Sequence, residues 1–232
     1  QGCKKVLGVA HTVASAKRVV EAARLFAGDL RVQVVFSAAP DVFSNGVAEF
    51  LGDLRAVVLP WHHATEIEFD LAIAAAHGDI HAVHAPTIVL PHGAGHNKFV
   101  PGGRRGRAAA DREVYGLNRQ WLVRDGAVVP DTIVLAHEED LVRLARECPE
   151  ALPAATVVGD PYADRIMASL PSRNRYRAAL KAGARHQLVV VSSTWGAQSL
   201  LGQVPQVLER LVAELPREEF RVVAMLHPNA WN

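Results

Sequence analysis

Four short segments carry side chains able to do acid–base or anion-binding chemistry, and each follows an apolar run. They are His11-Thr12, Pro91-His92-Gly93-Ala94-Gly95-His96-Asn97-Lys98, Ser192-Ser193-Thr194-Trp195-Gly196 and His227-Pro228. The chain holds 11 histidines, but their position at the ends of apolar runs is more telling than their number. His92 has the features of a general base. Gly93 and Gly95 beside it leave the backbone open to a substrate. A helix N-terminus nearby disfavours an imidazolium by ~0.3–1 kcal/mol, less than the ~1.4 kcal/mol of one pKa unit. That keeps the ring mostly neutral near pH 7, ready to accept a proton from an alcohol. The alternative for such a histidine is a turn cap or a buried hydrogen bond.

His11 has the same placement after the first run, with a helix-initiating polar residue as its alternative role. Ser193 and Thr194 put hydroxyls and backbone N–H groups at a strand-to-helix turn, where phosphate oxygens of a nucleotide bind. A helix cap is the competing reading. His227 either donates to a phosphate or ends a strand. His77, His81 and His84 are spaced i, i+4, i+7, but no Cys or carboxylate completes a tetrahedral zinc site, so no metal is expected. Arg104 and Arg105 are suited to gripping a phosphorylated acceptor, against the plainer reading of a solvated charge run. The Gly-x-Gly-x-x-Gly fingerprint of a dinucleotide site is missing after the first run, as is a P-loop. There is no Gly-x-Ser-x-Gly elbow.

The elements that must position these residues follow from the apolar pattern. Val6–Ala10, Val32–Phe36, Ala56–Leu59, Thr87–Leu90, Thr132–Ala136, Ala155–Val158, Leu188–Val191 and Arg221–Leu226 are short apolar runs, mostly rich in Val and Ile. Near-continuous runs of this kind are strands covered on both faces, as in a parallel sheet. Between them the period lengthens toward 3.6. Val13, Ala16, Val19, Val20, Ala23 and Phe26 form one stripe, with Lys17, Arg18, Glu21 and Arg24 off it, a cap at Thr12 or Ser15 and an end at Gly28. Phe69–Ala76, Glu138–Arg146 and Val204–Leu215 read as further crossover helices. The alternation predicts an α/β, Rossmann-like doubly wound parallel sheet, with ligands at the carboxyl ends of its strands.

The 232 residues carry 25 Lys plus Arg against 24 Asp plus Glu, a net charge of +1. That balance gives no global drive toward nucleic acid. Half the residues are hydrophobic, which excludes a disordered chain. No apolar stretch approaches the ~18 residues of a membrane-spanning helix. Cys3 and Cys148 lack a partner pattern, and a cytoplasmic protein is expected. The boundary is expected near Gly159-Asp160-Pro161, giving an acceptor-side domain over 1–158. Residues 159–232 form a linker and the first part of a donor-side domain, since two strands and one helix cannot bury a core alone.

The order of four motifs resembles the CDP-glycerol glycerophosphotransferase family, within the GT-B nucleotide-dependent transferases. They are Val89-Leu90-Pro91-His92-Gly93, Val158-Gly159-Asp160-Pro161-Tyr162-Ala163-Asp164, Val190-Val191-Ser192-Ser193-Thr194-Trp195 and Leu226-His227-Pro228. The chain departs from the family in having Ser193 before Thr194-Trp195, where Pro is usual, and Ala-Gly-His after the first His-Gly. The resemblance covers Pro91 onward and implies a GT-B-like fold with an incomplete second domain. It implies transfer of a glycerophosphate or glycosyl group from a nucleotide-linked donor to an acceptor hydroxyl. His92 would be the base, and Ser193, Thr194 and His227 would contact the donor phosphates; beside these, the residue pattern itself offers His11 as a second catalytic candidate and Gly93, His96, Arg104 and Arg105 as acceptor contacts. The resemblance implies no bound metal or cofactor; the expected partners are a nucleotide-linked donor and a hydroxyl acceptor, with peripheral membrane association as a further expectation. A UDP-sugar glycosyltransferase, a UDP-N-acetylglucosamine 2-epimerase relative, and a catalytically degenerate binding or scaffold module are the alternatives. A chain ending at Asn232 is expected to turn over little, because most of the donor domain would lie beyond it.

Overall fold

The first strand, β1 (Lys4–Ala10), buries both of its faces: Val6 and Ala10 point to one side, Leu7 and Val9 to the other. A strand with two covered faces needs a neighbour on each edge and a layer above and below, and the computed structural model supplies them. It describes residues 2–42, 44–91, 93, 95–96 and 114–227. The chain divides into two compact units, Gln1–Tyr162 and Ala163–Asn232.

In the first unit β1 is followed by α1 (Val13–Ala23), β2 (Val32–Ala38), α2 (Val47–Asp53), β3 (Val58–Leu59) and α3 (Trp61–Ala64). Next come β4 (Leu71–Ala74), β5 (Thr87–Val89), α4 (Arg119–Leu122), and a small antiparallel hairpin of β6 (Val123–Arg124) and β7 (Ala127–Val128). The unit closes with β8 (Thr132–Leu135), α5 (Glu138–Glu147), β9 (Ala155–Val157) and the start of α6 (Pro161–Ser169). Seven strands form one sheet in the order β3-β2-β1-β4-β5-β8-β9, and every paired neighbour is parallel. The chain builds outward from β1 to β3, then returns to the centre and builds the other way from β4. The reversal falls between β1 and β4, and a crevice opens at the carboxyl ends of the strands at such a point.

The sheet's two faces pack separate apolar clusters. Ala16 and Val19 of α1 and Val47 and Leu51 of α2 meet Val6, Phe36 and Ile73 on one side. Phe69, Ile80 and Val83 meet Leu7, Val9 and Ala72 on the other. A third cluster surrounds β8 and α5, with Leu117, Leu122, Leu135, Leu144 and Cys148 all fully buried. α1 opens with a reciprocal cap: Thr12 Oγ1 accepts from the Ser15 amide and Ser15 Oγ from the Thr12 amide, satisfying two free amide donors of the first turn. The α5 N-cap is His137, whose Nδ1 accepts from the Glu139 amide.

Three expectations need correction. Phe69–Ala76 is not a helix; its centre is β4, paired with β1 and β5. Leu and Ala favour helices, and a short strand buried on both faces has no polar alternation to betray it. The strand nevertheless alternates in space, with Ala72 and Ala74 toward one cluster and Ile73 and Ala75 toward the other. Arg18, read as lying off the α1 stripe, is only 4% exposed. The helix of 204–215 is shorter, with α9 (Val207–Glu214) preceded by a separate turn, α8 (Leu200–Gln203). Pro205 lies between them and has no N–H to continue a helix.

The second unit contains the rest of α6, α7 (Arg173–Ala179), β10 (Gln187–Ser193), α8, α9 and β11 (Phe220–Leu226). β10 and β11 pair in parallel over seven residues. Val190 on one and Met225 on the other stay more than half exposed, so this sheet is only thinly covered by the described residues. Among the described residues no helix is long and apolar enough to cross a membrane.

Candidate functional site

The sheet brings together residues that lie far apart in sequence. His77 stands three positions beyond β4, Gly93, Gly95 and His96 follow β5, and Tyr115 and Gly116 precede α4. They line a cleft of about 150 Å³, backed by Ala75, Leu90 and Pro91. The two imidazoles meet at Gly116. A Cβ there would sit 3.3 Å from His77 Nε2 and 3.2 Å from His96 Cδ2, and the backbone has φ +88°. Gly116→Ala is therefore expected to lose about 1–2 kcal/mol of stability from the left-handed backbone alone. Any further loss would come from pushing the two rings apart. Urea unfolding of the variant checks the first part, and a change in the His77 and His96 NMR signals checks the second.

His96 is held from behind. Its ring is 10% exposed, and Nδ1 faces Asp140 Oδ2 at 3.8 Å, close enough for charge to act but longer than a hydrogen bond. Arg143 locks the arrangement, donating from Nη1 to Asp140 Oδ1 at 2.9 Å and to the His96 carbonyl at 3.2 Å. Burial pushes the Asp140 carboxyl up, but His96 and Arg143 together outweigh it and hold the group below its ordinary value. Asp140 also occupies the first turn of α5, where the helix dipole favours a carboxylate. Gly95, at φ +76°, lets the loop pass so close that a Cβ would come within 3.0 Å of Asp140 Oδ2. Tyr115 completes the lining, and burial, with the charge of Asp41, pushes its phenol up, so the hydroxyl keeps its proton at neutral pH.

The expected site residues are distributed unevenly. Gly93 and His96 line the cleft. His92, Arg104 and Arg105 lie outside the described residues. His11 is not open to a substrate: it is 0% exposed, its Nε2 donates to the Gly78 carbonyl at 2.5 Å, and Nδ1 is buried without a hydrogen bond. Burial lowers its pKa, against smaller opposing effects from Gly78, Asp41 and Asp79. This histidine ties the end of β1 to the loop that carries His77.

In the second unit Ser193 is 5% exposed, and its hydroxyl accepts from the Leu201 amide and donates to the Thr194 carbonyl. That hydroxyl closes its own loop, while Thr194 beside it is exposed. The His227 ring lies 6.2 Å from that of Trp195, and its amide donates to the Ser193 carbonyl. Among the described residues no group of three His, Cys, Asp or Glu side chains could hold a metal ion.

Sequence reasoning missed Asp140, His77 and Arg18 as parts of this region. His77 was hidden by the misread β4, since the strand-end rule that singled out His92 would have found it too. Arg18 Nη2 donates to the Gly93 carbonyl at 3.0 Å and to Asp160 Oδ1 at 2.9 Å, and its guanidinium stacks 3.6 Å from the Tyr162 ring centre. Both Asp160 and Tyr162 belong to a motif quoted for the family resemblance.

The sheet order and the crevice define a Rossmann-like α/β protein of the kind found in GT-B enzymes. Solved structures with this fold include the wall teichoic acid polymerase TagF, with a TM-score of 0.56 and 10% identity over 97% of this chain and 56% of that one. A TagF variant soaked with CDPG gives 0.56 and 11%, over 97% and 56%. UDP-N-acetylglucosamine 2-epimerase from Rickettsia bellii gives 0.58 and 11%, over 99% and 63%. At such identity the likeness is one of fold. The chain spans less than two thirds of the length of these proteins. No known protein-family profile matches it, and no curated protein sequence does.

Proposed function

We propose that the protein is a GT-B-type transferase that moves a glycerophosphate or glycosyl group from a nucleotide-activated donor to an acceptor hydroxyl. The observation that carries this reading is the cleft at the carboxyl ends of β4 and β5 of a Rossmann-like unit, lined by Tyr115 and by two imidazoles that meet at Gly116. In such a transfer the protein holds acceptor and donor in line, and a histidine takes the acceptor proton as the new bond forms. The resemblance gives that role to His92, whose sequence neighbours Pro91 and Gly93 both line the cleft. On the donor side, Thr194 and His227 are the side chains suited to phosphate oxygens. Ser193 supports their loop from within. The fold shared with TagF and with an epimerase of a UDP-sugar supports a nucleotide-linked donor as the substrate class.

Thermal unfolding and product analysis with a panel of CDP-glycerol, UDP-N-acetylglucosamine and UDP-glucose test the proposal. With a whole donor-side domain present, CDP-glycerol is expected to raise the midpoint by several degrees, because a ligand that binds only the folded state stabilises it, and to release CMP when an acceptor is added. A response to UDP-sugars alone would favour the sugar-transferring or epimerising alternative, which the 2-epimerase likeness keeps in view. No response to any nucleotide would sink the transferase reading and leave a binding module.

A further inference from the structure

We propose that His96, oriented by Asp140, is the proton acceptor of the cleft, and that with His77 it binds the hydroxyl end of the acceptor. The inference rests on the transferase reading for its reaction, but on the observed geometry it gives the role of base to His96 instead of to His92, the residue the family resemblance points to. His96 presents opposite edges to different surroundings. Nδ1 is buried, lacks a hydrogen bond and faces a carboxylate that Arg143 and the first turn of α5 keep ionised. Its other edge, carrying Nε2 and Cδ2, faces Gly116, within 3.6 Å of the position a side chain there would take. A carboxylate can only accept, so it favours the tautomer with the proton on Nδ1 and leaves the Nε2 lone pair toward Gly116. This is the arrangement by which a carboxylate readies a histidine to take a proton, and it commonly tightens when substrate binds.

The lining also selects the ligand. An Nε2 lone pair accepts a hydrogen bond from a hydroxyl, whereas a phosphate dianion has no proton to donate to it. Such a cleft suits a neutral hydroxyl better than a phosphate dianion. At about 150 Å³ it is smaller than the ~300–1,000 Å³ of a drug-sized pocket, so it accommodates the end of an acceptor. In the transfer the acceptor O–H bond breaks and its proton passes to His96 Nε2. The oxygen's electron pair forms the new bond to phosphorus or to the anomeric carbon of a nucleotide-activated donor. The bond to the nucleotide phosphate breaks, and that phosphate leaves with the electron pair. The imidazolium, stabilised by Asp140, then returns its proton to solvent.

Nitrogen NMR of the chain labelled with [15N]-histidine tests the assignment without any donor, so its outcome is separate from that of the transferase reading. The wild type is expected to show His96 protonated on Nδ1 at neutral pH. In Asp140→Asn, whose amide can donate to Nδ1, the proton moves to Nε2. Glycerol should shift the His96 Nε2 signal and perturb His77, whereas inorganic phosphate should leave both in place. A His96 proton on Nε2 in the wild type overturns the proposal whether or not the variant folds. So does an unchanged tautomer in a folded Asp140→Asn. A response to phosphate and not to glycerol overturns the assigned ligand.

Discussion

Arg18→Ala is expected to cost about 3 kcal/mol of stability in the first unit, the usual penalty for breaking a largely buried ion pair by removing one partner. The guanidinium is 4% exposed while Asp160 is 22% exposed, so the loss falls at the low end of the range for fully buried pairs. Three contacts go at once: the bond to the Gly93 carbonyl, the bond to Asp160 Oδ1 and the stacking on Tyr162. Arg18→Lys should recover only part of the loss, because an ammonium cannot present a flat face to the ring while donating along its edge. Urea unfolding of the single variants and of Arg18→Ala with Asp160→Asn gives the coupling directly. A cost below ~1 kcal/mol, the level of exposed surface pairs, would mean that the motif around Asp160 is held by something else.

Acidification is expected to weaken the same unit through His11. Its folded pKa lies below the ordinary 6.5 because burial penalises the charged ring. An unfolded chain therefore binds a proton near pH 6.5 that the folded chain refuses. Stability from this group is whole above that value and falls as pH drops through it, by up to ~1.4 kcal/mol per pH unit until the folded ring itself protonates. Comparing the pH dependence of wild type and His11→Asn isolates this contribution from that of the other histidines. If the two curves run parallel, the ring is titrating freely and the seal on it is not what the packing suggests.

The seven-stranded sheet was largely legible in the sequence because its central strands are buried on both faces, and six of the eight apolar runs mark its strands directly, the other two marking β10 and β11. β4 escaped because Leu and Ala carry no strand signal and its alternation is visible only once both layers are in place. That single misreading kept His77 from being seen as a strand-end residue, so that it was weighed only as a zinc ligand. Asp140 was hidden for a different reason. An acidic residue in a helix's first turn ordinarily serves the dipole, and nothing local says that a loop more than forty residues earlier will fold onto it. His11 shows the converse limit: its place after β1 is where ligands gather, yet Gly78 comes from a remote segment to cover it. Chemistry-bearing residue types can be read from a sequence, but which of them face solvent depends on packing partners distant in the chain.

Cys148 ends α5 fully enclosed in the third apolar cluster, whereas Cys3 is open to solvent, and burial pushes the Cys148 thiol up. An alkylating reagent should consequently mark Cys3 at once and reach Cys148 only during excursions that detach α5 from β8. Because α5 also carries Asp140, the slow labelling step becomes a clock native to the molecule. It times how often the carboxylate behind His96 lets go, with no probe added anywhere near the cleft.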